Sequence, residues 1–125
     1  MLGFSSAEID AIRRAQEDLM TETCVRRRII YTKNSFGAPE SSAEDVIELK
    51  CRTNTLRVRL GDVIFEGISA GDTIVAVTVP FGSDVRRGDI IEIGGRSMVV
   101  LGVSDVPTFY GPSALRCFCR DREIE

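Results

Sequence analysis

The feature that most constrains this chain is a pair of glycines set between two runs of β-forming residues. Ile90–Ile93 leads into Gly94 and Gly95, and Arg96 to Val103 follows. Two residues that both tolerate positive φ, placed between two such runs, specify a tight hairpin. An antiparallel sheet is therefore built into the sequence, and the other segments are read for how they extend it.

Thr73 to Pro80 (TIVAVTVP) is apolar at nearly every position, which fits a central strand covered on both faces. Val46 to Thr53 alternates, with Ile47, Leu49 and Cys51 on one face and Glu48, Lys50 and Arg52 on the other, as in a half-buried strand. Leu56, Val58 and Leu60 alternate in the same way with Arg57 and Arg59, and the region of Asn54 is expected to turn between the two runs. Thr21 to Thr32 is rich in β-branched residues and reads as another strand. Arg26, Arg27 and Arg28 interrupt it, and they cannot all face one side because strand side chains alternate. They are expected on a solvated or inter-subunit edge, with nucleic-acid contact as the alternative. Leu115 to Arg120 is a last strand, with Leu115, Cys117 and Cys119 on one face. The stretch from Gly61 to Gly71 is ambiguous.

Between the strands, residues 33–45 (KNSFGAPESSAED) have the composition of a loop. A connection of that length in a small domain is mobile or functional. Ser104 to Pro112 reads as a second loop, and it carries the adjacent aromatics Phe109 and Tyr110. Phe81 to Asp89 reads as a turn region. Asp84 can bond its own backbone two residues on, and Gly88 can take positive φ.

One helix precedes the strands. Ser5-Ser6-Ala7-Glu8 is a capping box. Ile9, Ile12, Ala15 and Leu19 then recur at the spacing of one helical face, so an amphipathic helix is expected over about 6–20. Its apolar stripe needs cover from the domain body or a neighbouring subunit. The expected fold is thus mainly β: a small β-barrel or sandwich of six to seven short antiparallel strands with one N-terminal amphipathic α-helix. At 125 residues, with no repeat or linker, the chain is expected to form a single domain spanning 1–125, its barrel over about 21–120.

Several function classes lose support on composition. The chain has no histidine, so catalytic triads and dyads built on it are missing. Carboxylates are plentiful, yet no spacing singles out an acid–base pair. Gly94–Gly95 lies between strands and not before a helix, so it is no phosphate cradle. The four cysteines, Cys24, Cys51, Cys117 and Cys119, contain no C-x-x-C pair. They read as buried reduced thiols and not as a metal site. No enzymatic activity, cofactor or metal is expected. The net charge of −3 argues against a general phosphate binder, though not against a protein that lets DNA pass. No apolar stretch is long enough to span a bilayer, and the N-terminus lacks the basic and apolar regions of a signal peptide.

One segment carries a resemblance. Val79-Pro80 is followed by Gly82-Ser83-Asp84-Val85-Arg86-Arg87-Gly88-Asp89, then by Gly95-Arg96 and Val99-Val100-Leu101-Gly102-Val103. This resembles the head–tail connector proteins of tailed bacteriophages, the head-closure or stopper family. The order of a helix, a strand, a long loop and further strands is also similar to that family. The resemblance implies a virion protein at the neck, made and assembled in the host cytoplasm. It implies a homo-oligomeric ring of about twelve, or six, copies. Portal or adaptor proteins would lie on the head side and a tail-completion protein on the tail side, with DNA passing through without sequence-specific binding. A tail-completion or terminator ring is the neighbouring reading, and an OB-like nucleic-acid-binding barrel is the reading from another class. By position, Asn34, Ser35, Phe36, Gly37, Ala38, Pro39, Glu40, Ser41, Ser42, Glu44 and Asp45 would form the channel loop. Ile9, Ile12, Leu19, Arg26, Arg27, Arg28, Phe109 and Tyr110 are candidates for subunit or partner contact. Asp84, Gly88, Gly94 and Gly95 are structural turn residues.

Overall fold

In the computed structural model, residues 6–57, 71–108 and 111–121 are described. Side chains that alternate along a strand send one face toward a shared interior and the other outward, and the strand over Thr73–Pro80 is buried on both faces. The order is α1 (Ser6–Asp18), β1 (Glu22–Lys33), β2 (Pro39–Arg57), β3 (Thr73–Pro80), β4 (Ile90–Ile93), β5 (Arg96–Thr108) and β6 (Gly111–Asp121). Every neighbouring pair is antiparallel. Hydrogen bonding runs β1-β2-β3-β6-β5-β4 and returns to β1 through Val25↔Glu92, Arg26↔Ile91 and Arg27↔Ile90. The described strands therefore close into a six-stranded barrel, which leaves no edge where the ring is complete.

The interior is a single apolar core. Val75, Val77 and Val79 of β3 meet Ile91, Met98 and the four cysteines there. The outer face of β3 is covered as well, as expected for a central strand. α1 packs on β6 and β3, and Ile74 is buried beside Leu56, Leu101 and Phe118. The Gly94–Gly95 hairpin joins β4 to β5, and both glycines have positive φ, 56° and 83°.

Because the strands alternate in direction, β1, β3 and β5 all end at the same end of the barrel. The β1–β2 turn, the β3–β4 crossover and the β5–β6 connection therefore lie together there. The crossover must pass over the barrel mouth, since β3 and β4 are not neighbours. In doing so it inserts Val85 into the core.

Several expectations are corrected. Residues 33–45 are not a long loop: β1 continues to Lys33, β2 begins at Pro39, and only five residues turn between them. The loop-like composition reflects a two-stranded ribbon with no interior to fill, not an absence of strand pairing. There is no turn at Asn54 either; β2 runs for 19 residues and changes partner from β1 to β3 between Cys51 and Arg52. A strand of that length is not short, and neither is β5 with 13 residues. Most of the segment read as the 104–112 loop is strand, with Pro107↔Pro112 and Thr108↔Gly111 paired. Leu19 lies beyond the helix and is 56% exposed, while Met20 is the buried residue of that junction. Ile9 and Ile12 are half-buried. Ser5, residues 58–70, Phe109 and Tyr110 lie outside the described residues.

Candidate functional site

The candidate site is the outer half of the β1–β2 hairpin together with its root. β4 pairs with β1 only as far as Arg27↔Ile90. From residue 28 onward β1 pairs with β2, so the two strands leave the barrel as an arm. A bulge between Ile30 and Tyr31 leaves one residue of β2 over, between Ser41 and Ala43, and such an insertion sharpens the ribbon's twist. At the tip, the Asn34 side-chain oxygen accepts hydrogen bonds from the backbone N–H of Phe36 (2.9 Å) and of Ala38 (3.0 Å). The Asn34 N–H donates to the Ala38 carbonyl, and the Gly37 N–H donates to the Asn34 carbonyl. This network presents Phe36 to solvent at 93% exposure. Tyr31, Ile30 and Val46 are further exposed apolar residues of the arm and its root.

The three arginines sit at this root, and alternation sends them to different carboxylates. Arg26 shares the inward face of Cys24 and is only 1% exposed. Its Nη2 lies 3.0 Å from Asp45 Oδ2 and its Nη1 donates to the Asp45 carbonyl, while its Nε has no partner among the described residues. Arg27 faces outward, between Glu92 of β4 (2.8 Å) and Glu44 of β2 (3.3 Å). Arg28 reaches the crossover. Its Nε and Nη2 donate to the two oxygens of Asp89, each at 2.9 Å. Its Nη1 and Nη2 donate to the two oxygens of Asp84 at 3.0 and 3.1 Å. One guanidinium thus holds two carboxylates, a use of its planar fork that an ammonium cannot reproduce. These hydrogen bonds raise the Arg28 pKa further above its ordinary value and hold Asp84 below the usual carboxylate range. Arg26 and Arg27 do not lie on an edge, because there β1 has β2 on one side and β4 on the other; Arg28 is the first residue of β1 past the β4 pairing.

The turn chemistry of the crossover differs from expectation in one respect. The backbone is capped by Asp89, whose Oδ2 accepts from the Arg86 N–H at 2.8 Å, and not by Asp84, whose carboxylate is engaged by Arg28 and Arg86. Ser83 adds a hydroxyl bond to the Pro80 carbonyl at 2.6 Å. Gly88, at φ 91°, lets the chain turn back so that its N–H reaches the Val100 carbonyl. Asp89 is 4% exposed, so the crossover is fixed to the barrel at that residue. The partnership of Arg28 with Asp84 and Asp89 spans 56 and 61 residues of sequence. The one signal for it in the sequence is parity: Arg26 and Arg28 fall on the same strand face as buried Cys24.

The other candidates are dispersed. The helix face meets β6 and β3, where Arg13 stacks over the Phe81 ring at 3.7 Å and its Nε donates to the Pro112 carbonyl. No motif in the sequence marks that pair. The four cysteine thiols are buried in the core and none is in a disulfide. Burial pushes the Cys119 thiol up to about 12 and raises Cys117 further. Cys51 is raised by its hydrogen bond to Cys24 and by burial. The same hydrogen bond from Cys51 lowers Cys24 against the opposing effect of burial; the three thiols held protonated are poor nucleophiles and poor metal ligands. Among the described residues no group of histidine, cysteine or carboxylate side chains is arranged to hold a metal, and no helix is long and apolar enough to cross a membrane. Compared with models of known protein families, the chain matches none.

Proposed function

We propose that this chain is a structural subunit of the head–tail interface of a tailed bacteriophage, forming a ring below the portal or adaptor that closes the DNA-filled head and docks the tail. The observation that carries the reading is the arm: a built two-stranded projection, standing where the resembling family has its long loop, with Phe36 exposed at its tip. Large exposed apolar groups on a pre-formed turn are the kind of group that partner contacts bury. The segment from Pro80 to Asp89, one part of the stretch that carries the resemblance, lies at the same end of the barrel. The nucleic-acid-binding reading loses support from the arginine triad, because each member is engaged with carboxylates of its own chain.

The test is localisation. Density for a tagged copy at the neck of tailed particles is the expected result, and the ring symmetry there gives the copy number. Density on the tail side of the joint would favour the terminator reading instead, and absence from all particles would remove the proposal. If the arm reaches the channel, deleting residues 34–42 makes filled heads leak DNA; normal genome retention in that deletion would exclude a gating role.

A further inference from the structure

We propose that Arg28 is a positioning residue for the arm: by bridging to Asp84 and Asp89 it ties the arm's root to the β3–β4 crossover, so that arm and crossover move as one body. The inference goes beyond the virion reading and does not depend on it. Three observations meet in it. First, β4 stops at Arg27, so from residue 28 the arm's backbone pairs with β2 and no longer with the rest of the barrel. Second, a cleft of about 250 Å3 opens between the arm, at Ile29 and Tyr31, and the crossover, at Arg86 to Ile90. Apolar packing does not fill that space, and Arg28 spans its base. Third, one of the two points Arg28 holds, Asp89, is itself anchored to the barrel. Asp89 is buried, its carboxylate caps the Arg86 N–H, and its carbonyl accepts from the Val100 N–H of β5, while the neighbouring Gly88 N–H donates to the Val100 carbonyl. Arg26 and Arg27, in contrast, bind Asp45 and Glu44 of β2. Arg27 also binds Glu92 of β4, so these pairs hold β1 to its neighbouring strands within the barrel wall, and neither reaches the crossover. A partner that seats on the crossover would therefore fix the direction of Phe36, although the two are distant in sequence.

Peptide-resolved hydrogen exchange tests this with the intact chain. Arg28→Leu is expected to speed exchange roughly tenfold or more in residues 29–33, 39–44 and 82–88 together, while β3 and β6 keep their protection. Arg28→Lys keeps the charge but cannot bridge two carboxylates, and is expected to behave like the leucine variant. Asp84→Asn leaves Arg28 and Asp89 in place and should give a smaller rise in the same three segments. It carries the test alone if the Arg28 variants fail to fold. Faster exchange in 82–88 with the arm unchanged would overturn the coupling. So would a uniform rise that includes β3 and β6, or full protection restored by lysine.

Discussion

β1 and β2 each have two halves, and the halves live in different environments. In the lower half, Cys24, Leu49 and Cys51 face the closed interior, and strands on both sides satisfy the backbone. In the upper half the same strands pair with each other, Ile30 and Tyr31 are exposed, and among the described residues no second layer covers them. The alternating pattern is continuous across the boundary, but the energy that holds each half is not of the same kind. A two-stranded ribbon is marginal in water by itself. The barrel is held by burial, at about 1.5–3 kcal/mol for a fully buried aliphatic side chain. The arm depends on hydrogen bonds at its tip and ion pairs at its root, which are directional and individually weaker. An element can thus be well formed without being well buried.

The contrast can be broken at either end. Ile91→Ala should cost about 2–5 kcal/mol in denaturant unfolding, because the side chain is fully buried in the core and its loss leaves a cavity. A loss under about 1 kcal/mol would mean that the barrel is not closed as described. Arg26→Met should change stability by no more than about 1 kcal/mol, and in the stabilising direction if at all. Methionine fills a similar volume, the orphaned Nε disappears, and Asp45 remains hydrated. A severe loss would show that the pair does more than compensate its own burial. Asn34→Ala should cost about 1 kcal/mol, with exchange rising at the Phe36 and Ala38 amides and not in the barrel.

Acid should loosen the ion-paired sites first. Asp84 is held low by hydrogen bonds from Arg28, and Asp121 by those from Arg96. Between the folded and unfolded pKa values the unfolded chain carries the extra proton. Their contribution is therefore fully present above the ordinary aspartate value and drains as the pH falls through the depressed one. Melting temperature followed below pH 4 should fall more steeply in the wild-type protein than in Asp84→Asn; identical slopes would remove Asp84 from this account. Phe36→Ser is the smallest change for the free chain, within about 0.5 kcal/mol, since Phe36 is exposed. Under the proposed connector role its effect is read as loss of tail joining in particles; a stability loss well above that figure would show the tip to be packed in the free chain.

The barrel was largely legible in the sequence. Glycines at 94 and 95 can adopt the turn that a two-residue hairpin needs, and the apolar run of β3 can only sit where both its faces are covered. Alternation in Val46 to Thr53 by itself assigns Leu49 and Cys51 to one apolar face, and that face lies against the core. The arm was misread because composition reports burial more faithfully than pairing. Glu40 to Asp45 are mostly polar since the ribbon encloses nothing, yet all but the bulge residue Ser42 pair with β1. For the same reason 104–112 read as a loop.

What the sequence alone determined is local: which runs extend, where they reverse, and which side of each strand is apolar. Those properties follow from φ, from side-chain alternation and from neighbouring residues. The fate of three adjacent arginines was decided by the tertiary structure, because a charge acquires its meaning from the carboxylate it meets. The β1–β2 pairing put Asp45 beside Arg26, and closure of the barrel through β4 put Glu92 beside Arg27. The crossover carried Asp84 and Asp89 to Arg28. Ion pairs act through space over a few ångströms, and only the folded chain sets those distances.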